Sequence, residues 1–200
     1  MTDPLQQVLR QAAATGPVEI GAVLLGFAYI VLAIRQRRSC WIAGGLSTAL
    51  YTLVFLDARL YLQAILQLVY VLLAVHGWQE WGREARAGAG PVVRSLGPWR
   101  HAAVLAATLA MTALTAPALA AFSDAAAPWA DSLGTWSSIA ATWLMIRKVA
   151  ASWLWWIVVD AGLAWLFASQ GLWFTAALYL AFAALAGAGW IAWRRAPQVA

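Results

Sequence analysis

The segment Trp153-Leu154-Trp155-Trp156-Ile157-Val158-Val159-Asp160 sets two indoles and a carboxylate on one side of a helix. Trp153, Trp156 and Asp160 fall at i, i+3 and i+7. Asp160 is the one carboxylate deep within an apolar run. A charge at such a depth costs about 2.5–3.5 kcal/mol on insertion scales, so the residue should face a cavity or a partner. No lysine or arginine lies at comparable depth to neutralise it; a protonated Asp160 bonded to a neighbouring helix stays open. Indole faces beside a carboxylate suit a flat cationic ring, held by cation–π contact and charge pairing. Gln67 and Tyr70, three apart, share a face of another run, as do Thr48 and Tyr51 in the run before it. For Gln67 and Gln63, a ligand contact and an interhelical hydrogen bond that holds a bundle together are both open readings.

Catalytic patterns are lacking: there is no His-Glu-x-x-His, no Gly-x-Ser-x-Gly and no phosphate-binding loop. His76 and His101 lie at the ends of apolar runs without metal-ligand spacing, and the single cysteine, Cys40, forms no internal disulfide. The sequence therefore points to a carrier and not an enzyme, with no cofactor and no metal.

The elements that position these residues follow from composition. Of 200 residues, 64% are hydrophobic and only 10% charged, against about 25% charged in soluble domains. Lipid solvates such a surface where a soluble fold of this size has nowhere to hide it, so the chain is expected to be an all-α integral membrane protein in contact with lipid. The net charge of +5 does not indicate nucleic acid, because the positive residues are scattered through short loops and form no patch. Apolar runs at about 17–34, 41–56, 60–78, 101–122, 133–146, 153–168 and 172–193 predict seven transmembrane helices. Alternating loops then carry eleven basic residues on one side (Arg35, Arg37, Arg38, Arg83, Arg86, Arg94, Arg100, Arg147, Lys148, Arg194 and Arg195) and two, Arg10 and Arg59, on the other. That bias predicts an outside N-terminus and a cytoplasmic C-terminus. The longest connection, 79–100, is rich in Gly, Ala and Arg and reads as a flexible cytoplasmic loop. Trp78, Trp81, Trp190 and Trp193 end their runs and read as interfacial belt residues, Glu19 as an outer-interface carboxylate; Trp41, Trp143 and Trp165 fit either a belt or an interior.

The chain matches itself without a gap at an offset of 112, with 16 of 64 positions identical over 19–82. Arg35 falls on Arg147, Trp41 on Trp153, Phe55 on Phe167, Leu60 on Leu172, and the Gly77-Trp78-x-x-Trp81 motif on Gly189-Trp190-x-x-Trp193. Two three-helix repeats with one spare span between them begin on the same side of the membrane. The predicted organisation is thus a tail (1–16), a first repeat (17–82), a loop (83–100), a linker helix (101–122), a second repeat (132–194) and a tail (195–200). Parallel repeats bind substrate near the midplane between the halves. Thr48 is the repeat mate of Asp160 and Tyr179 that of Gln67, which adds Tyr179 to the expected substrate-binding set.

These residues together resemble the PnuC-type nicotinamide riboside transporters over 19–193. The resemblance rests on Glu19-Ile20-Gly21, on Leu66-Gln67-x-x-Tyr70 followed by Gly77-Trp78-x-x-Trp81, and on Trp153-x-x-Trp156-x-x-x-Asp160 followed by Gly171-Leu172 and Leu178-Tyr179. It implies a three-plus-one-plus-three fold similar to that of the SWEET sugar transporters. It also implies facilitated diffusion of an unphosphorylated vitamin precursor that a kinase then traps, with Gln67, Trp153, Trp156 and Asp160 lining the site. Family members can carry Asn at the Asp160 position, so the acid here leaves thiamine, also flat and cationic, and riboflavin as alternative cargoes. A non-transporting membrane scaffold or assembly protein is the rival reading. The small-molecule vitamin is the expected partner, and the chain is compatible with a homo-oligomer.

Overall fold

The computed structural model describes residues 4–57, 61–88, 92–122 and 127–199. Arg59, Leu60 and Pro91, and the side chain of Gln63, lie outside the described residues. Eight helices are present among them: α1 (Pro4–Ala14), α2 (Pro17–Ile34), α3 (Cys40–Asp57), α4 (Tyr61–Arg86), α5 (Pro98–Phe122), α6 (Pro128–Ile146), α7 (Ser152–Ser169) and α8 (Trp173–Arg194). Five of them, α2, α3, α5, α7 and α8, are long and apolar enough to cross a membrane. At 18 residues, α2, α3 and α7 each reach about 27 Å, close to the roughly 30 Å hydrocarbon thickness. The more polar α4 and α6 have identifiable reasons. The last turns of α4 carry Glu80, Arg83, Glu84 and Arg86, and α6 buries Ser132, Ser138 and Thr142 on its inner side.

Local sequence explains where the helices begin and end. Proline stands at the first turn of α2 and α6, where its missing N–H costs no helical bond. Both helices stop at a residue in the left-handed region, Gln36 and Lys148, each with φ of 52°. These two are repeat mates. The amide that follows each reaches back five residues, Arg37 N–H to the Leu32 carbonyl and Val149 N–H to the Leu144 carbonyl, a Schellman-type closure. The same backbone turn thus recurs at the offset of 112 without a glycine.

Packing repeats in the same way. α2, α3 and α4 pack in sequence, as do α6, α7 and α8, and the two triads meet through α2 against α8 and α4 against α6. Because α6 is the mate of α2 and α8 the mate of α4, these two contacts are one contact made twice. The linker α5 packs on α6, helped by Trp136 Nε1 donating to Thr115 Oγ1 at 3.0 Å.

Three sequence expectations change. Trp81 and Trp193 are not belt residues: they are 2% and 0% exposed. Trp81 Nε1 donates to the Ile146 carbonyl of the other repeat at 3.0 Å. Trp193 Nε1 donates to the Ala33 and Ile34 carbonyls at 3.2 Å each. The last carbonyls of a helix lack their usual helical donors; these indoles donate to them, and the Ala33 carbonyl accepts from Gln36 N–H as well. Trp78 and Trp190 remain half-buried under Arg38 and Arg194 respectively.

The described part of the 79–100 connection is not a free loop either. α4 runs on to Arg86, and Val93, fully buried, begins a two-residue strand (β1, Val93–Arg94) that pairs in parallel with β2 (Gln198–Val199). Arg94 also bridges to Val149. Glu84 joins Lys148 and Arg94 at 2.9 Å each, so charge and a buried valine hold the segment down. Finally, the 1–16 tail contains α1, whose Gln11 amide ties the α7–α8 turn from both sides. Its Nε2 donates to the Gly171 carbonyl at 3.0 Å, and its Oε1 accepts from Phe174 N–H at 2.9 Å.

The crossed indole bonds generate a stability prediction. Trp81→Phe keeps most of the ring but leaves the Ile146 carbonyl without its donor, which should cost about 1–3 kcal/mol. The thermal unfolding midpoint of the purified protein in detergent should fall, and Trp78→Phe should leave it nearly unchanged.

Candidate functional site

Between the two triads lies a cavity of about 240 Å3, near the lower end of the range for small-molecule sites, about 300 Å3. The eight side chains of the expected substrate-binding set line it: Thr48 and Tyr51 on α3, Gln67 and Tyr70 on α4, Trp153, Trp156 and Asp160 on α7, and Tyr179 on α8. Helical spacing brings each pair to the same side, and the triad packing turns those sides toward one another.

Asp160 is 4% exposed and makes no ion pair or hydrogen bond to another described residue. Among the described residues that line the cavity it is the only one of formal charge. Tyr70 and Tyr179 lie within electrostatic range of its carboxyl. The Gln67 amide likewise has no hydrogen-bond partner among the described residues, so it is not acting as interhelical glue. By contrast Thr48 Oγ1 is satisfied by its own helix, through the Gly44 and Gly45 carbonyls at 3.1 and 3.2 Å. Ser138 and Thr142 bond back in the same manner.

The walls are aromatic. Phe167 stacks on Tyr179 with centroids 5.3 Å apart, Tyr179 meets Phe182 edge-on at 6.0 Å, and Tyr51 stacks on Phe55 at 5.9 Å. One end is closed by four tryptophans. Trp41 packs T-shaped on Trp81 at 5.5 Å, Trp153 on Trp193 at 5.4 Å, and Trp81 and Trp193 meet at 6.3 Å.

Sequence reasoning missed Tyr29, Trp41, Ser138 and Phe182 as lining residues. The repeat itself carried the signal. Adding 112 to Tyr70 gives Phe182, and subtracting it from Trp153 and Trp156 gives Trp41 and Gly44, all of which line the cavity. Gly44 and Tyr29 explain a departure from symmetry. A Cβ on Gly44 would stand 2.9 Å from the Tyr29 ring, so glycine makes room for tyrosine in the first repeat. In the second, the mates are Trp156 and Ala141, the large and small residues exchanged. Tyr29 had no sequence signal beyond its place in an apolar run.

These features define a multi-pass membrane protein with an aromatic cavity whose described lining carries a single acid. The family model described as "Nicotinamide mononucleotide transporter" matches residues 16–195. The chain belongs to that family and is a membrane transporter. Its fold is similar to the crystal structure of the vitamin B3 transporter PnuC, with a TM-score of 0.71 at 22% identity over 96% of this chain and 88% of that one. A search among curated proteins gave no match.

The cavity's closed end depends on two glycines. A Cβ on Gly77 would fall 2.4 Å from the Trp41 ring, and one on Gly189 2.5 Å from the Trp153 ring. Gly189→Ala therefore has to displace a ring clamped between two helices, at a cost of about 1–3 kcal/mol. The variant should unfold at a lower temperature than wild type, whereas Gly187→Ala, with open space around it, should not.

Proposed function

We propose that the chain carries nicotinamide riboside, or a closely similar flat and cationic vitamin precursor, across the bacterial inner membrane by facilitated diffusion, with phosphorylation inside the cell trapping the cargo. The observation that carries this reading is Asp160, buried without a partner among the described residues in a cavity walled by aromatic rings. A carboxylate in such surroundings is costly unless a cation joins it. A pyridinium ring supplies the charge and a face for Trp156 and the tyrosines.

The same chemistry speaks to the phosphorylation state of the cargo. Phosphate recognition uses Arg, Lys or clustered N–H donors, and no Arg, Lys or His is among the described lining residues. Asp160 would repel a phosphate. The site thus favours a nucleoside over the mononucleotide of the family's description. Thiamine satisfies the charge requirement as well, while neutral riboflavin gives Asp160 nothing to pair with. The membrane-scaffold reading accounts for neither the cavity nor the unpartnered acid.

The seven-span arrangement belongs to this proposal. α2–α4 and α6–α8 serve as two parallel repeats joined by α5, with α4 and α6 crossing the membrane inside the bundle where their polar sides are covered. The loop charges support a cytoplasmic position for the four-tryptophan end. A fluorescent reporter that matures only in the cytoplasm should be bright when fused after Ala200 and dark when fused before Met1; the reverse pattern would overturn the orientation.

Purified protein should bind nicotinamide riboside or thiamine at micromolar concentration in a calorimetric titration. Failure of nicotinamide riboside, thiamine and riboflavin alike would refute the substrate class. Asp160→Ala should abolish binding of the cation while the ligand-free protein unfolds at or above the wild-type temperature. Unchanged affinity would remove Asp160 from the site.

A further inference from the structure

A carrier whose cavity is closed at one end by four tryptophans has to open that end, and the two seams that meet there are not held alike. At each seam an indole of one triad donates to a helix end of the other: Trp81 to Ile146 where α4 meets α6, Trp193 to Ala33 and Ile34 where α2 meets α8. At the α4–α6 seam much more is added. Lys148, its side chain 8% exposed, pairs with Glu84 at 2.9 Å between the two triads and lies 4.9 Å over the Trp81 ring. Glu84 also holds Arg94 at 2.9 Å. The Arg94 backbone joins the α6–α7 turn twice, its N–H donating to the Lys148 carbonyl at 2.8 Å and its carbonyl accepting from Ala150 N–H at 3.1 Å. Val93 N–H donates to the Pro197 carbonyl at 3.0 Å, which fastens the tail after α8 to the same body.

The α2–α8 seam cannot repeat this. The mates of Lys148 and Glu84 are Gln36 and Ala196, both uncharged. Gln36 keeps the left-handed turn, but its buried Oε1 has no hydrogen-bond partner among the described residues, and no ion pair crosses the seam among them. Arg38 ties the α2–α3 turn to its own triad instead, its Nε donating to the Trp78 carbonyl at 2.7 Å. A largely buried ion pair is costly to break by removing one partner from the other, so the two seams part at unequal cost.

We propose that the tryptophan-closed end opens along one seam only: the α2–α4 triad swings about the α4–α6 edge, and α2 draws away from α8. Glu84 is the positioning residue that makes that edge the hinge. Parallel repeats generally work by rocking one against the other; in this chain the charges choose the edge. The bonds that break are those of Trp193 to Ala33 and Ile34, while Trp81 stays on Ile146. The inference rests on the chain's being a transporter and not on which cargo it carries.

The test measures spin-label distances in the purified, reconstituted protein without cargo, one label pair across each seam: Arg37→Cys with Arg195→Cys for α2–α8, and Arg83→Cys with Arg147→Cys for α4–α6. All four positions are exposed, and the one native cysteine, Cys40, is fully buried. Across α2–α8 the distances should fall into a shorter and a longer population, and across α4–α6 into one. Trp193→Phe removes the indole donor from the moving seam. It should raise the longer α2–α8 population roughly two- to tenfold and leave α4–α6 unchanged. Glu84→Gln should spread the α4–α6 distances; distances unmoved by it would remove Glu84 from the hinge. Equal or greater spread across α4–α6 in wild type, or a single narrow distance across both seams, would overturn the proposal. If Trp193→Phe does not fold, the two wild-type distributions decide alone. Failure of nicotinamide riboside, thiamine and riboflavin to cross liposomes would refute the cargo reading separately, because the seam distances are read with no cargo present.

Discussion

Indole N–H groups and helix-terminal carbonyls are both expensive to bury alone, and at the closed end of this bundle each repeat supplies what the other lacks. Trp81 of the first repeat satisfies Ile146 of the second, and Trp193 of the second satisfies Ala33 and Ile34 of the first. The other contacts at that end are arranged around this exchange. Gly77 and Gly189 admit Trp41 and Trp153 against the pair, and the resulting rings close one end of the cavity. The left-handed turns at Gln36 and Lys148 end α2 and α6 where their carbonyls meet the indoles. On one side the turn residue is a lysine, which lies 4.9 Å over the Trp81 ring and pairs with Glu84. On the other it is a glutamine, so the two crossings are alike in geometry and unlike in charge.

That combination of shared frame and private chemistry continues into the cavity. The backbone places mates opposite one another, while the side chains differ where a ligand would touch them: Thr48 against Asp160, Gln67 against Tyr179, Gly44 against Trp156. Each difference removes something from one half that the other provides. The first half contributes amide and hydroxyl groups on α3 and α4, the second the carboxylate and the indole face on α7. An unsymmetrical molecule held between related halves needs such differences, and a closed frame is what lets them accumulate without loss of packing.

Much of this was legible in the residues themselves. Run length marked out the apolar helices, and an offset of 112 marked out the repeat because Gly-Trp-x-x-Trp is rare enough to stand out from an Ala- and Leu-rich background. The eight proposed site residues lie together because helical spacing and the repeat are both rigid rules. What escaped was of another kind. Trp81 and Trp193 end apolar runs just as belt residues do, and only the approach of two distant helix ends makes them interior. Val93 and the 198–199 strand sit in short segments with no periodicity to read. The amphipathic α1 is 11 residues long, too short to stand alone in water, and its docking by Gln11 depends on contacts some 160 positions away.

The crossing of indoles and carbonyls has the form of an isologous interface: residue i on one unit meets residue j on the other, and j meets i. Such a surface is self-complementary. A chain of one three-helix unit, carrying a single Gly-Trp-x-x-Trp and a single αL turn, would meet all its own requirements by pairing with an identical copy, and both bonds would form. Joining two copies through one additional helix changes none of those contacts. It does change what sequence variation can do. In a pair of identical chains every substitution appears twice, so an acid in the cavity is always two acids facing each other. In the fused chain Asp160 stands alone across from a threonine, and a single positive charge is enough to answer it.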